Sequence, residues 1–302
     1  MTELNINSQE NENKVLFRGF YEDGENMRAV HVEEGIEEIG ENAFRDYTAL
    51  EEVYLPKSLK RISACAFAGC SALKRVHMEY GLEVIGDEAF SGCSSIYDVN
   101  IPDTVKRIGE GAFEGCASLS KIKLSESVYI IGAGAFSYCF NLSEITIPDS
   151  CVLVEFNCFY SCFSLEAVKL SDNMGLIDDS TFEGCRSLTT VEMPARLKKI
   201  GRRAFAGCAA LRSLILPVGT ASIGLDAFFG CSSLSRIAIP KRLVELEDIE
   251  LFNGCDSLRE ISFGGDQRLF EGLTRGRAIT VQKSDLTSFT PKINFMDLKD
   301  EI

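Results

Sequence analysis

A phenylalanine recurs every 23 residues, at Phe44, Phe67, Phe90, Phe113, Phe136, Phe159, Phe182, Phe205 and Phe228, and once more after 24 at Phe252. In nearly every copy an isoleucine, valine or leucine stands five residues before it, a cysteine three after, and further aliphatics six, nine and eleven after. A fixed period of this length predicts a solenoid, in which one turn of chain is one structural unit. Within a unit, Lys121-Ile122-Lys123-Leu124 alternates as a half-buried strand does. Many copies place proline next (Pro56, Pro102, Pro148, Pro194, Pro217, Pro240), which ends the strand because proline cannot donate to a sheet ladder. A second buried pair follows, Val128 and Ile131, whose spacing of three argues against a clean strand. Residues 133–138 then predict a single helical turn. In a sister copy, Asp87 to Gly92, the turn opens with carboxylates and closes on glycine, as helix ends prefer.

The few apolar side chains of one rung cannot offset the entropy of ordering it. Stacked at ~4.8 Å, the spacing of strands, the rungs join into one sheet and one continuous core whose ends need caps. Residues up to about Asn13 are polar and expected to fray. Val15 to Phe20 and Arg28 to Val32, with Asp23-Gly24 between them, predict a hairpin that covers the first sheet edge. The expected division is therefore a polar tail and N-terminal cap hairpin over 1–28, repeats over 29–265 and a C-terminal cap over 266–302. In that last stretch Ala278 to Val281 is expected to supply one more strand, and 284–302 to fold over the final rung.

The run Ile108-Gly109, Ala112-Phe113, Gly115-Cys116, Leu119 and its sister copies resemble the BspA-like (Treponema pallidum-type) leucine-rich repeat family. The resemblance spans roughly Ala29 to Gly265. It implies a curved, β-rich leucine-rich-repeat solenoid with a parallel sheet on its inner face. It also implies company with bacterial and protist surface proteins that bind host or matrix proteins, rather than with enzymes.

Composition narrows the partners. With 45 acidic and 31 basic residues the net charge is −14, which argues against nucleic acid and anionic membrane, since both need clustered lysine and arginine. No apolar run approaches the ~20 residues that span a bilayer. Met1 to Glu10 has neither a basic region nor an apolar core, so no signal peptide is read there. The expectation is a cytoplasmic protein, or a cell-surface or secreted one if a leader has been removed. Nine cysteines (Cys70, Cys93, Cys116, Cys139, Cys162, Cys185, Cys208, Cys231, Cys255) share one rung position and are expected to stack as free, buried thiols. Such a row favours a reducing compartment.

Candidate chemistry mostly dissolves into the repeat. Gly109-x-Gly111 and Gly132-x-Gly134 imitate a dinucleotide fingerprint, but neither opens a long helix. Cys151, Cys158 and Cys162 imitate a metal cluster, but each falls on a core position, whereas Cys65 falls in a polar column. His31 and His77 are two rungs apart, ~10 Å at strand spacing, too far to share a metal. No serine or cysteine has a base at a neighbouring rung position. No catalytic residue, cofactor or metal site is predicted.

Repeat proteins bind through side chains that the fold leaves open. Two surfaces qualify. One is the outward column of the inner sheet and its neighbours, with Tyr54, His77, Asn100, Lys121, Lys123, Lys169 and Glu192; its plain alternative is a solvated mixed-charge face. The other is a band where three consecutive copies replace Lys60-Arg61, Lys106-Arg107 and Lys198-Lys199 by Tyr129-Ile130, Val152-Leu153 and Gly175-Leu176. Tyr138, Phe140, Phe156, Tyr160 and Phe163 replace small or charged residues nearby. An apolar band of this kind marks a protein-docking or homodimer surface, unless the side chains fold inward. The expected function is a non-enzymatic protein–protein recognition scaffold. The alternatives are a surface adhesin for host or matrix protein and, more remotely, a carbohydrate-active or hydrolytic enzyme.

Overall fold

The computed structural model describes residues 2–6, 14–16, 26–247, 250–274, 278–279, 281–282 and 287–295. Within them the chain winds as a parallel solenoid whose rungs each cross two ladders. The inner ladder is built of short strands such as Asp98–Asn100 and Lys121–Lys123, with Lys121 opposite Asp98 and Ile122 opposite Val99, one period apart. The outer ladder carries two-residue strands; Arg107–Ile108 lies between Val84–Ile85 and Ile130–Ile131. The spacing of Val128 and Ile131 speaks against a strand, yet a short one closes after Val128. The flanking backbone continues the pairing: the Tyr129 N–H donates to the Lys106 carbonyl at 3.0 Å and the Gly132 N–H to the Ile108 carbonyl at 2.9 Å.

The predicted helical turn takes the form of three successive i→i−3 bonds, Ala112 to Gly109, Glu114 to Gly111 and Cys116 to Phe113. Between them the N–H groups of Gly111, Phe113 and Gly115 donate to the next rung, to Ala133, Ala135 and Ser137, each at 2.8 Å. That alternation needs left-handed backbone at Gly111 (φ 56°) and Gly115 (φ 69°), which keeps the turn from propagating as a helix. Gly109 answers to a different demand. A Cβ there would stand 2.5 Å from the Asp87 nitrogen of the preceding rung, so the glycine permits close stacking.

The interior is the predicted set of columns. Phe113 and Phe136 stack with ring centroids 5.5 Å apart, and the ladder from Phe44 to Phe252 keeps every step between 5.1 and 5.8 Å. All ten rings are fully buried. All twelve cysteines are free, and eleven of them are buried.

The two ends differ from expectation. The N-terminal hairpin is replaced by a further parallel rung. Thr2–Ile6 pairs with Met27–Val32 in the inner ladder, and Val15–Leu16 pairs with Glu38–Ile39 in the outer one. Residues expected to fray thus supply an inner strand, with Leu4 opposite Val30 and Ile6 opposite Val32. The Asp23-Gly24 bend lies outside the described residues. At the other end, helix Gln267–Leu273 is capped by Asp266, which accepts the Leu269 N–H at 2.9 Å. Its Phe270 packs edge-on against Phe263 at 5.4 Å. Of the expected last strand at Ala278 to Val281, buried Val281 opens a two-residue strand, Val281–Gln282, which pairs antiparallel with Ser288–Phe289, while the Gly254 N–H donates to the Gln282 carbonyl at 2.6 Å as in the rungs before it. Lys292–Phe295 instead extends the inner ladder beside Glu260–Phe263. Among the described residues no helix is long and apolar enough to cross a membrane.

Candidate functional site

Register sets which outward side chains lie side by side. Tyr54 lies between His31 and His77, with ring centroids 4.3 Å away on each side and planes within 5°. The Tyr54 hydroxyl donates to Glu52 at 2.7 Å, and Arg75 donates to Glu52 at 2.8 Å and to the Tyr97 hydroxyl at 2.9 Å. The Tyr54 hydrogen bond, helped by Arg75 against a desolvation cost, holds the Glu52 carboxyl below its ordinary range. One position earlier, Glu51 accepts from Lys74 at 2.7 Å and from Arg28. These side chains stack and hydrogen-bond with one another from rung to rung.

The rest of the predicted column is exposed and less connected. Asn100 stands opposite Lys123, Lys121 opposite Asp98, and Lys169 opposite Glu192. The ladder of strands is interrupted between His77 and Asp98, between Lys123 and Glu144, and between Glu192 and Ser213. Tyr54 and His77 are in contact, whereas Lys121 and Lys123 share a second stretch of sheet and Lys169 lies in a third. Arg75, Glu52 and Tyr97 complete the first group. Their column positions are legible in the sequence, but the bonds among them depend on rotamers.

The apolar band faces solvent. Val152 is 55% exposed, Phe156 49% and Tyr129 44%, and Tyr138 and Phe140 are exposed as well. Ile130, Leu153, Tyr160 and Phe163 are half-buried. The inward-folding alternative fails for the exposed members. Contacts resolve the band into two groups. Ile130 is the cross-strand partner of Leu153, beside Tyr129 and Val152. Separately, Phe140 stacks on Phe163 at 5.0 Å, Tyr138 meets Phe140 at 6.1 Å and Tyr160 at 5.4 Å, and Arg186 caps Phe163 at 4.6 Å. Phe156 makes no ring contact with either group among the described residues. Tyr138 holds a φ of 60° in the column where most copies place glycine, a conformation costly for a tyrosine. Exposed apolar side chains also occur outside the band, at Ile215 and Val244 among others.

Buried thiols have no chemistry to offer. Burial pushes Cys151 up to about 11 and Cys162 up to about 12, and raises Cys158 well above its usual range. Among the described residues no group of three or more histidine, cysteine, aspartate or glutamate side chains is placed to hold a metal ion.

Comparison with known proteins agrees with this geometry. The BspA type leucine rich repeat region, in six copies, matches residues 15–117, 37–165, 83–210 and 153–272. A leucine-rich repeat protein from Bacteroides ovatus is 26% identical, over 93% of this chain and 87% of that one, with a TM-score of 0.48. A leucine rich repeat protein of T. pallidum is 27% identical over 65% and 82%, with a TM-score of 0.47. The pneumococcal vaccine antigen PcpA is 19% identical over 93% and 82%, and its TM-score of 0.57 shows a shared fold. No curated protein matches. Since the repeat region matches most of its length, the chain belongs to the BspA type leucine-rich repeat family.

Proposed function

We propose that the protein is a non-enzymatic scaffold that recognises another protein through side chains its repeat does not dictate. The observation that carries this reading is the fixed surface around Tyr54. His31, Tyr54 and His77 stack, and Glu52 ties Tyr54 to Arg75. A surface already held in one arrangement loses little side-chain entropy on binding. The column continues as Asn100, Lys123, Thr146, Lys169 and Glu192, with Lys121 beside it and no two successive rungs alike, which suits an extended, partner-specific face. The band from Tyr129 to Phe163 is the second docking surface, for a protein partner or for a second copy of the chain.

Photo-crosslinking distinguishes the two surfaces. A benzoylphenylalanine placed at Lys123 or at Val152 is expected to crosslink a protein, and Tyr54→Ala with His77→Ala, or Tyr129→Lys with Leu153→Lys, is expected to abolish capture at its own surface. Light scattering of the same variants reports any dimer. Capture and mass unchanged in both double variants would overturn the reading.

A further inference from the structure

We propose that a groove on the outer ladder, lined by Arg196, Lys198 and Arg242, binds an extended acidic peptide segment of a protein partner. The inference rests on the recognition reading and names the chemistry of one partner. The groove encloses about 550 Å³ over successive rungs, and no acidic side chain lines it. Its surroundings are unusual for this chain. Residues 173–242, which span the lining, hold ten arginines and lysines against five acids, in a protein of net charge −14.

The repeat shows what has been left out. The column of Lys198 reads Glu37, Lys60, Glu83, Lys106 in the N-terminal rungs. There Lys14 pairs with Glu37 at 2.5 Å and Lys106 with Glu83 at 2.8 Å, each partner one rung away. Around Lys198 the same neighbours are Gly175 and Ala221, and around Arg196 they are Asn173 and Gly219. The acids that neutralise this column elsewhere are replaced by residues that leave space. A Cβ on Gly175 would find only the Arg196 carbonyl, 4.0 Å away. Among the described residues none of the three cations is in an ion pair. Asp172, next to the groove, turns its carboxylate to the Ala195 N–H at 3.1 Å.

Arg196 and Arg242 lie two rungs apart, ~10 Å at strand spacing. On a chain in the polyproline-II form, carboxylates three residues apart lie on one side about 9 Å from each other, and guanidinium groups bind carboxylates in two-pronged fashion. A sulfated glycan would need partners for its many hydroxyls, and Asn173 is the one neutral polar side chain in the lining. The peptide is the better fit.

Fluorescence anisotropy of a labelled hexaglutamate peptide, titrated with the full chain, tests the proposal. Saturable binding that weakens with added salt is expected, with no binding of hexaglutamine. Arg196→Ser with Arg242→Ser should weaken it at least tenfold. Ala221→Glu, which restores the acid–base alternation beside Lys198, should also weaken it at least tenfold, and an unchanged thermal midpoint shows either variant folded. Three results would each overturn the proposal: no saturable hexaglutamate binding, equal affinity in a folded variant, or tighter binding of a heparin hexasaccharide or a single-stranded oligonucleotide. Loss of capture in the Tyr54→Ala, His77→Ala variant would leave the scaffold reading standing whatever this groove does.

Discussion

The Cys116 thiol donates to the Phe90 carbonyl of the preceding rung across 3.3 Å. That oxygen already accepts the Cys93 N–H at 3.1 Å, so the thiol fills the second lone pair of a carbonyl cut off from water. The same bond recurs from Cys70 to Phe44 through Cys255 to Phe228. Cysteine is thus more than a small hydrophobe at this position; it is a small hydrophobe with a donor. Cys116→Ala should cost about 1–2 kcal/mol, from a small void and a lost bond. A lowered urea midpoint with an unchanged slope is the expected signature. An unchanged midpoint would contradict both contributions.

The thiol column also sets a pH dependence. Burial raises the pKa of Cys139, Cys158 and Cys185, and pushes Cys162 up to about 12. In the unfolded chain the same groups ionise near ~8.5. The folded state therefore keeps protons that the unfolded state gives up, and stability is intact below the unfolded pKa and lost as pH rises through the folded values. Each such thiol removes about 1.4 kcal/mol per pH unit in that window. Thermal midpoints should hold steady between about pH 6 and 8 and drop steeply above about pH 9. A flat profile to about pH 11 would contradict the burial account.

Thiol reagents should separate the column from its exception. Cys65 is the half-exposed member of the twelve, 3.5 Å from the Glu88 carboxylate. Partial burial and then that carboxylate raise its pKa, so it should react slowly. Ellman's reagent is expected to count one thiol in the native protein and twelve in denaturant. Several fast thiols in the native state would mean that the rungs open.

Two glycines of one rung should fail for different reasons. At Gly115 a Cβ would have room, with its nearest neighbour at 3.8 Å, so Gly115→Ala should cost only the left-handed backbone, about 1–2 kcal/mol. At Gly109 a Cβ would stand 2.5 Å from backbone, and the rungs must part to admit it. Gly109→Ala should therefore cost more than Gly115→Ala in chemical denaturation, and the reverse order would refute the assignment of roles.

The columns were legible because stacking turns a shared rung position into a contact: Phe113 with Phe136, and His31 with Tyr54 with His77. The ends were not, because there the period breaks. Ile6 lies opposite Val32, 26 residues on, whereas Leu16 lies opposite Ile39 at the ordinary 23, so three extra residues hide the first rung. Glu260 and Lys292 are 32 apart, beyond any repeat search. The groove escaped for another reason. Its signal is side chains that are missing, at Gly175, Gly219 and Ala221, while pattern reading attends to large residues that are present. The ties of Glu52 to Tyr54 and Arg75 depend on rotamers, which no spacing encodes.

The most direct test of register is excision of one rung. Removing residues 104–126 joins Asp103 to Ser127 and brings the Phe90 ring onto Phe136, with every downstream column still aligned. Removing residues 104–115 shortens the chain by about half as much but throws all later columns out of step. The larger deletion is expected to melt in a single cooperative transition with a parallel-sheet circular dichroism spectrum, and the smaller to lose that transition. A half-rung deletion that melts as cooperatively as the full-rung one would contradict the account.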